Sequence, residues 1–311
     1  MTGYLFDYKS NTLVLPEIIS WEISHTDGNA GTDNFEICCL YDSAMVSHLE
    51  NAVRFKCEHE GQTVFYGIVD EYSVLSDVSG KTVSISGRGL GGILIDNKCR
   101  GQEFIACSLR DILDRYVKPY GITSIEGFSP RTVYGYSVST GDSALSALSN
   151  FLGISANTVP RFSPAGELIM SGKTGKRWSC DDKKCIKTEI TGKRYGVISH
   201  VDILTADGYR QTVKNEHFIQ RGGLAGRVIT VPRNTSWDMM KYSGKYRIEQ
   251  SEKDSYKVEL TVSEMFPVFP GDVVALTLPD AVCGDYHVSE TTCFGNGNGY
   301  GTKITLTRQV K

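Results

Sequence analysis

Three glycines in the first third of the chain have the spacing of a dinucleotide-binding loop. Gly87, Gly89 and Gly92 satisfy G-x-G-x-x-G directly after a predicted strand. A nucleotide-binding loop of this kind follows a buried parallel strand and opens a helix, whose N-terminus receives the pyrophosphate. Residues 82–86 instead alternate between polar and apolar types, which is typical of a half-exposed antiparallel strand. The following segment Ile93–Asn97 is too short and too β-branched for the required helix. We therefore interpret the glycines as places where the backbone turns as a strand leaves a barrel.

The nine cysteines do not form a regular framework. Cys38 and Cys39 are adjacent, and adjacent residues of a strand point to opposite faces, so one metal ion cannot easily use both. Cys180 and Cys185 could approach each other across a tight turn, which leaves a zinc site open there. No histidine or second close cysteine pair accompanies them in sequence, so we expect reduced, mostly buried thiols and no metal ligands.

Two further motifs contain the residue types of a binding or modification site but lack the surrounding sequence features that such a site needs. Ser171–Lys176 is similar to a phosphate-binding loop, but Glu167 stands where that loop needs glycine, so we predict a turn. Asn234–Ser236 matches a glycosylation triplet by chance in a chain that begins without a secretion signal.

Hydrolytic chemistry would need a carboxylate pair or a metal site. Clusters of acidic residues occur at Asp70-Glu71, Glu58–Glu60 and Asp181-Asp182, but neighbouring acids on a strand point apart. We interpret them as solvated surface or turn residues. The histidines are scattered and form no H-E-x-x-H motif: His25, His48, His59, His200, His217 and His287. The sequence thus predicts no catalytic residue, no cofactor-binding residue, no cofactor and no enzymatic activity.

Composition and charge narrow the class of protein. At 311 residues the chain is long enough for two or three domains, and its glycine, tyrosine, threonine and serine content favours strands and turns. A formal net charge of −3 does not fit a nucleic-acid binder that relies on a basic surface. No apolar run approaches a membrane span, and the N-terminal residues lack the features of a signal peptide, so we expect synthesis in a cytoplasm and no membrane partner.

The elements that must position these residues are mostly strands. Alternating segments at even spacing in the first hundred residues predict a small barrel or sandwich, and a similar rhythm resumes after about Lys187. Between them, Ser108–Asp111 begins a predicted helix with a capping box, and a second helix runs from about Asp142 to Leu152, with Gly153 as its stop. The stretch Thr230–Gln250 is ambiguous between a short helix and a loop.

These patterns define the predicted architecture. The fold class is a β-rich α+β protein, in which two tube-type β-barrel domains bracket a mixed α/β middle domain. The predicted boundaries are 1–97 for the first barrel domain, 98–186 for the middle domain and 187–311 for the second barrel domain.

Several motifs occur in an order that resembles one family. The chain resembles the baseplate hub proteins of contractile phage tails and of related R-type bacteriocin and prophage particles, with a T4-like hub fold. The landmarks are Phe65–Asp70, Lys81–Arg88 with Leu94–Asp96, the helix end Tyr116–Gly121, Gly141–Leu148 leading into Pro164–Leu168, and Pro270–Val274 with Gly284–Val288. They span most of the chain.

The resemblance implies a structural role in an injection particle. Such hubs resemble trimers in which each subunit contributes two tube-like barrels, so three chains present six barrels to a hexameric tail tube. The other face stays three-fold and receives the trimeric central spike. The implied partners are two further copies of the chain, the tail tube protein, the central spike protein and other baseplate proteins. The resemblance also implies a bore through which a genome can pass without specific binding. The implied location is a virion or tail-like particle assembled in a bacterial host.

Two alternatives remain open at this stage. A tail-tip cell-wall hydrolase would use some of the acidic residues above. A carbohydrate-binding tail protein would use Trp21, Trp178 or Trp237, although core or subunit contacts are the more ordinary role of such side chains. The sequence does not distinguish a phage from a bacteriocin or another injection system.

Overall fold

Strands dominate the molecule, which confirms the β-rich fold class. The computed structural model describes residues 1–28, 32–78, 80–172, 174–231, 233, 235–253, 255–278 and 282–308, without the side chain of Asp182. Most strands belong to a single sheet of 13 strands, in which all but one of the pairings are antiparallel. Four separate clusters of buried apolar side chains lie along the chain.

The first hundred residues form an N-terminal layer of seven strands. Its strands are β1 (Thr2–Asp7), β2 (Thr12–Val14), β3 (Ile18–Thr26), β4 (Asn34–Leu40), β5 (Ala52–His59), β6 (Gln62–Asp77) and β7 (Gly80–Gly89). They lie in the order β2-β1-β5-β6-β7-β4-β3. The rings of Phe35 and Phe55 stack with centroids 4.1 Å apart, although β6 and β7 separate their strands in that order. The layer must therefore curl around its own core.

Two short helices accompany this layer, α1 (Val46–Leu49) and α2 (Gly91–Asp96). Helix α2 includes residues of the segment Ile93–Asn97, which we expected to be too short for the helix of a dinucleotide-binding loop. It has only six residues, and it follows an antiparallel strand that pairs with both β4 and β6. The setting required for a dinucleotide-binding loop is therefore not met at Gly87, Gly89 and Gly92.

The middle region packs two helices against short strands. Its elements are β8 (Gln102–Cys107), α3 (Leu109–Tyr116), β9 (Val133–Val138), α4 (Ala144–Ala156), β10 (Arg161–Phe162) and β11 (Leu168–Ile169). The predicted capping box is present, because Ser108 accepts from the Asp111 backbone N–H and the Asp111 side chain accepts from the Ser108 backbone N–H. Helix α4 continues past Gly153 and ends at Asn157, whose φ of 53° is left-handed.

Two strands and an inserted unit follow. The strands are β12 (Arg177–Asp181) and β13 (Cys185–Gly192). The inserted unit consists of β14 (His200–Thr205), β15 (Arg210–Lys214), α5 (Glu216–Gln220), β16 (Gly226–Val231) and α6 (Trp237–Lys253). Its three strands form a separate sheet, and α6 packs on that sheet through Met240 and Ile248 in a core of its own. The ambiguous stretch Thr230–Gln250 is thus helical from Trp237 onwards.

The last four strands complete a C-terminal layer. They are β17 (Tyr256–Val262), β18 (Val273–Thr277), β19 (Cys283–Asn296) and β20 (Gly299–Arg308). With β12 and β13 they give the order β12-β18-β19-β20-β17-β13. The side chains of Trp178 on β12 and Cys185 on β13 both pack against the same core, so this layer also curls. Among the described helices, none is both long and apolar enough to cross a membrane.

Candidate assembly surface

One junction of strands joins the two layers into a continuous sheet. Strand β3 of the N-terminal layer pairs with β19 of the C-terminal layer over six residue pairs, from Trp21↔Gly295 to Thr26↔Glu290. The hydroxyls of Ser24 and Thr292 are hydrogen-bonded across it at 2.8 Å. The backbone bonds of this ladder are made within one chain, so a single molecule already presents two curled layers side by side.

Trp21 and Gly295 form the tightest contact of this junction. A Cβ atom added at Gly295 would lie 2.2 Å from Cζ2 of the Trp21 indole. Real side chains do not approach that closely, so only glycine leaves room for the ring. Trp21 therefore serves as packing between the layers and does not present its ring for a carbohydrate.

A buried polar pair lies next to the same junction. Nδ1 of His25 lies 3.2 Å from Asp33 Oδ2, and Nε2 lies 2.9 Å from the carbonyl oxygen of Val64. Both ring nitrogens therefore face oxygen atoms of the N-terminal layer. The ring of Phe269, from the C-terminal part of the chain, meets His25 edge-on at 5.3 Å. His25 is thus buried where the N-terminal layer contacts Phe269.

Three of the family landmarks meet in one cluster of charges. Arg88 donates two hydrogen bonds to Asp70, at 2.6 and 2.8 Å, and two to Asp96, at 2.8 and 3.0 Å. The hydrogen bonds that Arg88 donates to Asp70 and, next in importance, to Asp96 raise the pKa of Arg88, and the bond that Asp96 accepts lowers the pKa of Asp96. Asp70 lies at the surface and is paired with Arg88 there. The spacing of the landmarks along the chain gave no signal for this pairing, because residues 70, 88 and 96 come from β6, β7 and α2.

The joined sheet leaves long strand edges available. Strand β13 pairs on one side with β17 and, among the described residues, has no strand on its other side. The outer segment of β6, residues 70–76, pairs only with β7 within the described part of the chain, because β5 reaches no further than Ile68. Both edges carry exposed apolar side chains, including Ile186 (65 % exposed) and Ile190 on β13, and Val74 and Leu75 (59 %) on β6. Unpaired edges of this kind template the addition of another strand.

The other residues considered from sequence do not converge on a catalytic or metal centre. Within the described ranges, no group of three or more histidine, cysteine, aspartate or glutamate side chains is arranged to hold a metal ion. Cys180 and Cys185 do approach each other, with their sulfur atoms 3.5 Å apart.

Several carboxyl groups have a lowered pKa, whereas a glycosidase acid needs a raised one. They are Asp7, Glu58, Asp96, Asp111, Asp114, Glu189 and Asp202.

The loop Ser171–Lys176 uses its backbone donors internally. The N–H groups of Ser171 and Lys176 donate to the carboxylates of Glu126 and Asp272, at 3.0 and 2.8 Å. A phosphate group would need those same donors, and strand β12 follows the loop in place of a helix. Lys173 lies outside the described residues, as does Asn234 of the glycosylation triplet.

The remaining tryptophans lie on different elements from Trp21. Trp178 is half-buried on β12, where its Nε1 donates to Asp272 at 2.9 Å and its ring packs on Phe266. Trp237 is exposed at the start of α6.

Solved structures with the same fold are phage tail proteins and a related secretion component. A tail protein from Neisseria meningitidis MC58 matches with a TM-score of 0.80 at 14% identity, over 99% of this chain and 96% of that one. The 43 kDa tail protein of prophage MuSo2 from Shewanella oneidensis matches with a TM-score of 0.79 at 16% identity, over 99% and 98%. An E. coli component of the type VI secretion system, itself similar to bacteriophage T4 tail proteins gp27 and gp5, matches with a TM-score of 0.61 at 7% identity, over 95% and 74%.

These likenesses establish the fold. No protein-family model matches the chain, and no curated protein sequence matches it significantly. The resemblance to tail hub proteins predicted from sequence is therefore confirmed at the level of the fold: the chain has the fold of phage tail proteins, over nearly its whole length.

Proposed function

We propose that the chain is a structural hub subunit of a phage tail baseplate or of a related contractile injection particle. Three copies would form a ring that joins a hexameric tail tube to a trimeric central spike. The observation that carries this proposal is the junction of β3 with β19, which fuses two curled layers into one sheet while leaving a long edge at each side. The shared fold with tail proteins supports the same role.

The two layers supply the symmetry match in this proposal. The ranges 1–97 and 187–311 would be the two tube-like barrel domains, the second completed by β12 and the start of β13. The rest of the middle domain, predicted at 98–186, would lie outside the ring. The inserted unit, with its own core, would lie outside as well. Two barrels in each of three chains give six similar positions, so a hexameric tube could dock without any catalytic residue.

Strand edges are the proposed means of closing the ring. Strand β13 of one copy would pair with the outer segment of β6 of the next copy, because both are long, exposed and edge-accessible. Pairing would satisfy backbone donors and acceptors and bury the apolar side chains on both edges. By comparison, β2 has three residues and offers a much shorter ladder.

The chain's charge is compatible with a conduit for nucleic acid. A bore lined with many lysine and arginine side chains would bind phosphates and hold the genome in place. The formal net charge of −3 does not favour such binding. We therefore propose that any genome passes through the ring without specific contacts, as a consequence of the ring's role as an adaptor.

The test is the mass of the assembled protein. Purified protein alone and mixed with its tail tube protein is measured by mass photometry and sedimentation, and the proposal expects a species of three chains in at least the mixture. Ile190→Lys places a charge on the β13 edge and should abolish that species while leaving the circular dichroism spectrum unchanged. Leu224→Lys is the matched control, because Leu224 is also an exposed aliphatic residue (90 %) but belongs to neither β13 nor β6. A two-chain or four-chain assembly, or a trimer indifferent to Ile190→Lys, would refute the proposed arrangement.

A further inference from the structure

Two cysteines lie close together at one seam of the C-terminal layer. Cys180 is near the end of β12 and is almost fully buried, whereas Cys185 begins β13 and is half-buried. A 3-10 turn, Asp182–Lys184, connects the two strands. The two Sγ atoms are 3.5 Å apart, and one thiol donates a hydrogen bond to the other.

The pair lies at a point where the two end strands of this layer approach each other. Strand β12 is the last strand on one side, paired in parallel with β18, and β13 is the last on the other, paired with β17. Among the described residues, no backbone ladder joins β12 to β13. The seam is held by the turn between the strands and by side chains that share the core, including those of Trp178, Cys180 and Cys185.

We propose that Cys180 and Cys185 are a redox-active pair that forms a reversible disulfide and so closes the seam of the C-terminal layer covalently. The oxidant is a small-molecule disulfide such as oxidised glutathione. The sulfur atoms need to approach from 3.5 Å to a bond length of about 2.05 Å, a shift that side-chain rotation in a six-residue turn region can supply.

The reaction proceeds by two thiol–disulfide exchanges. Cys185 is the more exposed thiol, so its thiolate attacks one sulfur of oxidised glutathione, the glutathione S–S bond breaks, and one glutathione thiolate leaves and takes up a proton. Cys180 then loses its proton to solvent and attacks Sγ of Cys185, which expels the second glutathione. Two protein thiols are oxidised to one disulfide, and one glutathione disulfide is reduced to two glutathione thiols.

The environment of Cys180 suits the second of these steps. Burial raises the pKa of Cys180 to about 12, and the hydrogen bond with Cys185 contributes next. A buried thiol of this kind does not react readily with a bulky oxidant in solution. Once Cys185 carries glutathione, that hydrogen bond is gone and the sulfur to be attacked is already adjacent, so the exchange within the protein is favoured.

The disulfide would constrain strand β13, whose free edge pairs with the next copy in the proposed ring. Strand β13 is bound on one side only, and a covalent link to β12 would fix its first residue to the body of the layer. Thiols stay reduced in a cytoplasm and are oxidised outside it. Oxidation in a particle that has left the cell rests on the proposed function. The chemistry of the cysteine pair itself does not depend on that function.

Peptide mapping tests the proposal directly on the full chain. The protein is incubated with excess oxidised glutathione, free thiols are alkylated, and the denatured chain is digested with trypsin. Cleavage after Arg177, Lys183, Lys184 and Lys187 releases Cys180 and Cys185 on separate peptides. The proposal expects Trp178–Lys183 joined to Cys185–Lys187, lighter than the sum of the two by two hydrogen atoms, and separated again by dithiothreitol. The melting temperature of the oxidised protein should also rise relative to the reduced protein.

Two variants distinguish the pair from other cysteines. Cys185→Ser should lose the joined peptide and the rise in melting temperature, whereas Cys283→Ser, at an exposed cysteine elsewhere on β19, should keep both. If both peptides of the unmodified chain carry alkyl label after oxidation, or if Cys185 stops at a stable mixed disulfide with glutathione, the proposal is wrong. The mass measurement of the trimer does not depend on this disulfide. The proposed ring and the proposed disulfide can therefore fail separately.

Discussion

Replacing Gly295 with alanine would test the junction that makes one sheet of the two layers. The added Cβ would lie 2.2 Å from Cζ2 and 2.3 Å from Cη2 of Trp21, whereas carbon atoms in contact prefer about 3.5–4.0 Å. The indole must therefore move by more than an ångström or the strands must separate. Overpacking of this kind costs about 1–3 kcal/mol. The alanine also reduces the conformational entropy of the unfolded chain, which stabilises the folded protein by about 0.4–1 kcal/mol. We therefore expect a net loss of stability of about 1–2 kcal/mol.

The assay combines urea unfolding with hydrogen exchange. Gly295→Ala should lower the urea midpoint, shift the emission of Trp21 to the red and speed amide exchange in β3 and β19. Gly297→Ala is the matched control, because a Cβ at Gly297 meets no atom within 4 Å and should change stability by less than about 0.5 kcal/mol. In a Trp21→Leu background the alanine should cost much less, since the clash is removed. An equal cost with and without the indole would refute this reasoning.

Three further predictions concern charges, a helix cap and an edge. Arg88→Lys should destabilise the N-terminal layer in chemical unfolding, because lysine cannot bind two carboxylates bidentately. The loss should be only about 1 kcal/mol, because the site is partly exposed. An unchanged free energy of unfolding would show that the cluster of charges does not stabilise the layer. Ser108→Ala should cost about 1 kcal/mol at neutral pH by removing the cap of α3. The Ser108 hydrogen bonds lower the pKa of Asp111, so they stabilise the folded protein above the pKa that Asp111 has in the unfolded chain. This stabilisation is lost as the pH falls through the lower pKa of Asp111 in the folded protein. The stabilities of the two proteins should therefore converge in acid, and a difference in stability that does not change with pH would contradict this role of Ser108. Leu75→Lys should block co-assembly while Ile105→Lys, at another exposed aliphatic residue, should not, as measured by co-sedimentation with the tube protein.

Features fixed by neighbouring residues were predictable from sequence. The capping box of α3 depends on residues three apart, and the alternation of residues 82–86 reports a strand with one buried face. In each case the signal lies within one element, so no knowledge of the rest of the fold was needed.

Contacts between distant parts of the chain overrode local signals elsewhere. Gly153 is a good helix stop by itself, but α4 runs through it and packs closely on α6 there. A Cβ atom added at Gly153 would lie 3.1 Å from Cε1 of the Tyr246 ring on α6. The helix α6 was ambiguous because Ser243 and Gly244 interrupt its apolar face, and Gly244 is required where Val213 and Ile203 approach. Tertiary packing decided both elements.

The assembly surface was the least accessible to sequence reasoning. The pairing of β3 with β19 joins residues about 270 apart, and alternation alone does not say which strand is the partner. The close approach of Cys180 and Cys185 was recognised as possible from their spacing. Its position at the seam of the C-terminal layer required the strand order.

The most direct test of the central claim is an electron cryomicroscopy reconstruction of the complex with the tail tube protein. The account predicts a closed ring of three chains in which N-terminal and C-terminal layers alternate, with β13 of each copy beside the outer segment of β6 of the next. A ring of six chains, or a ring in which one of the two layers does not line the circumference, would contradict it.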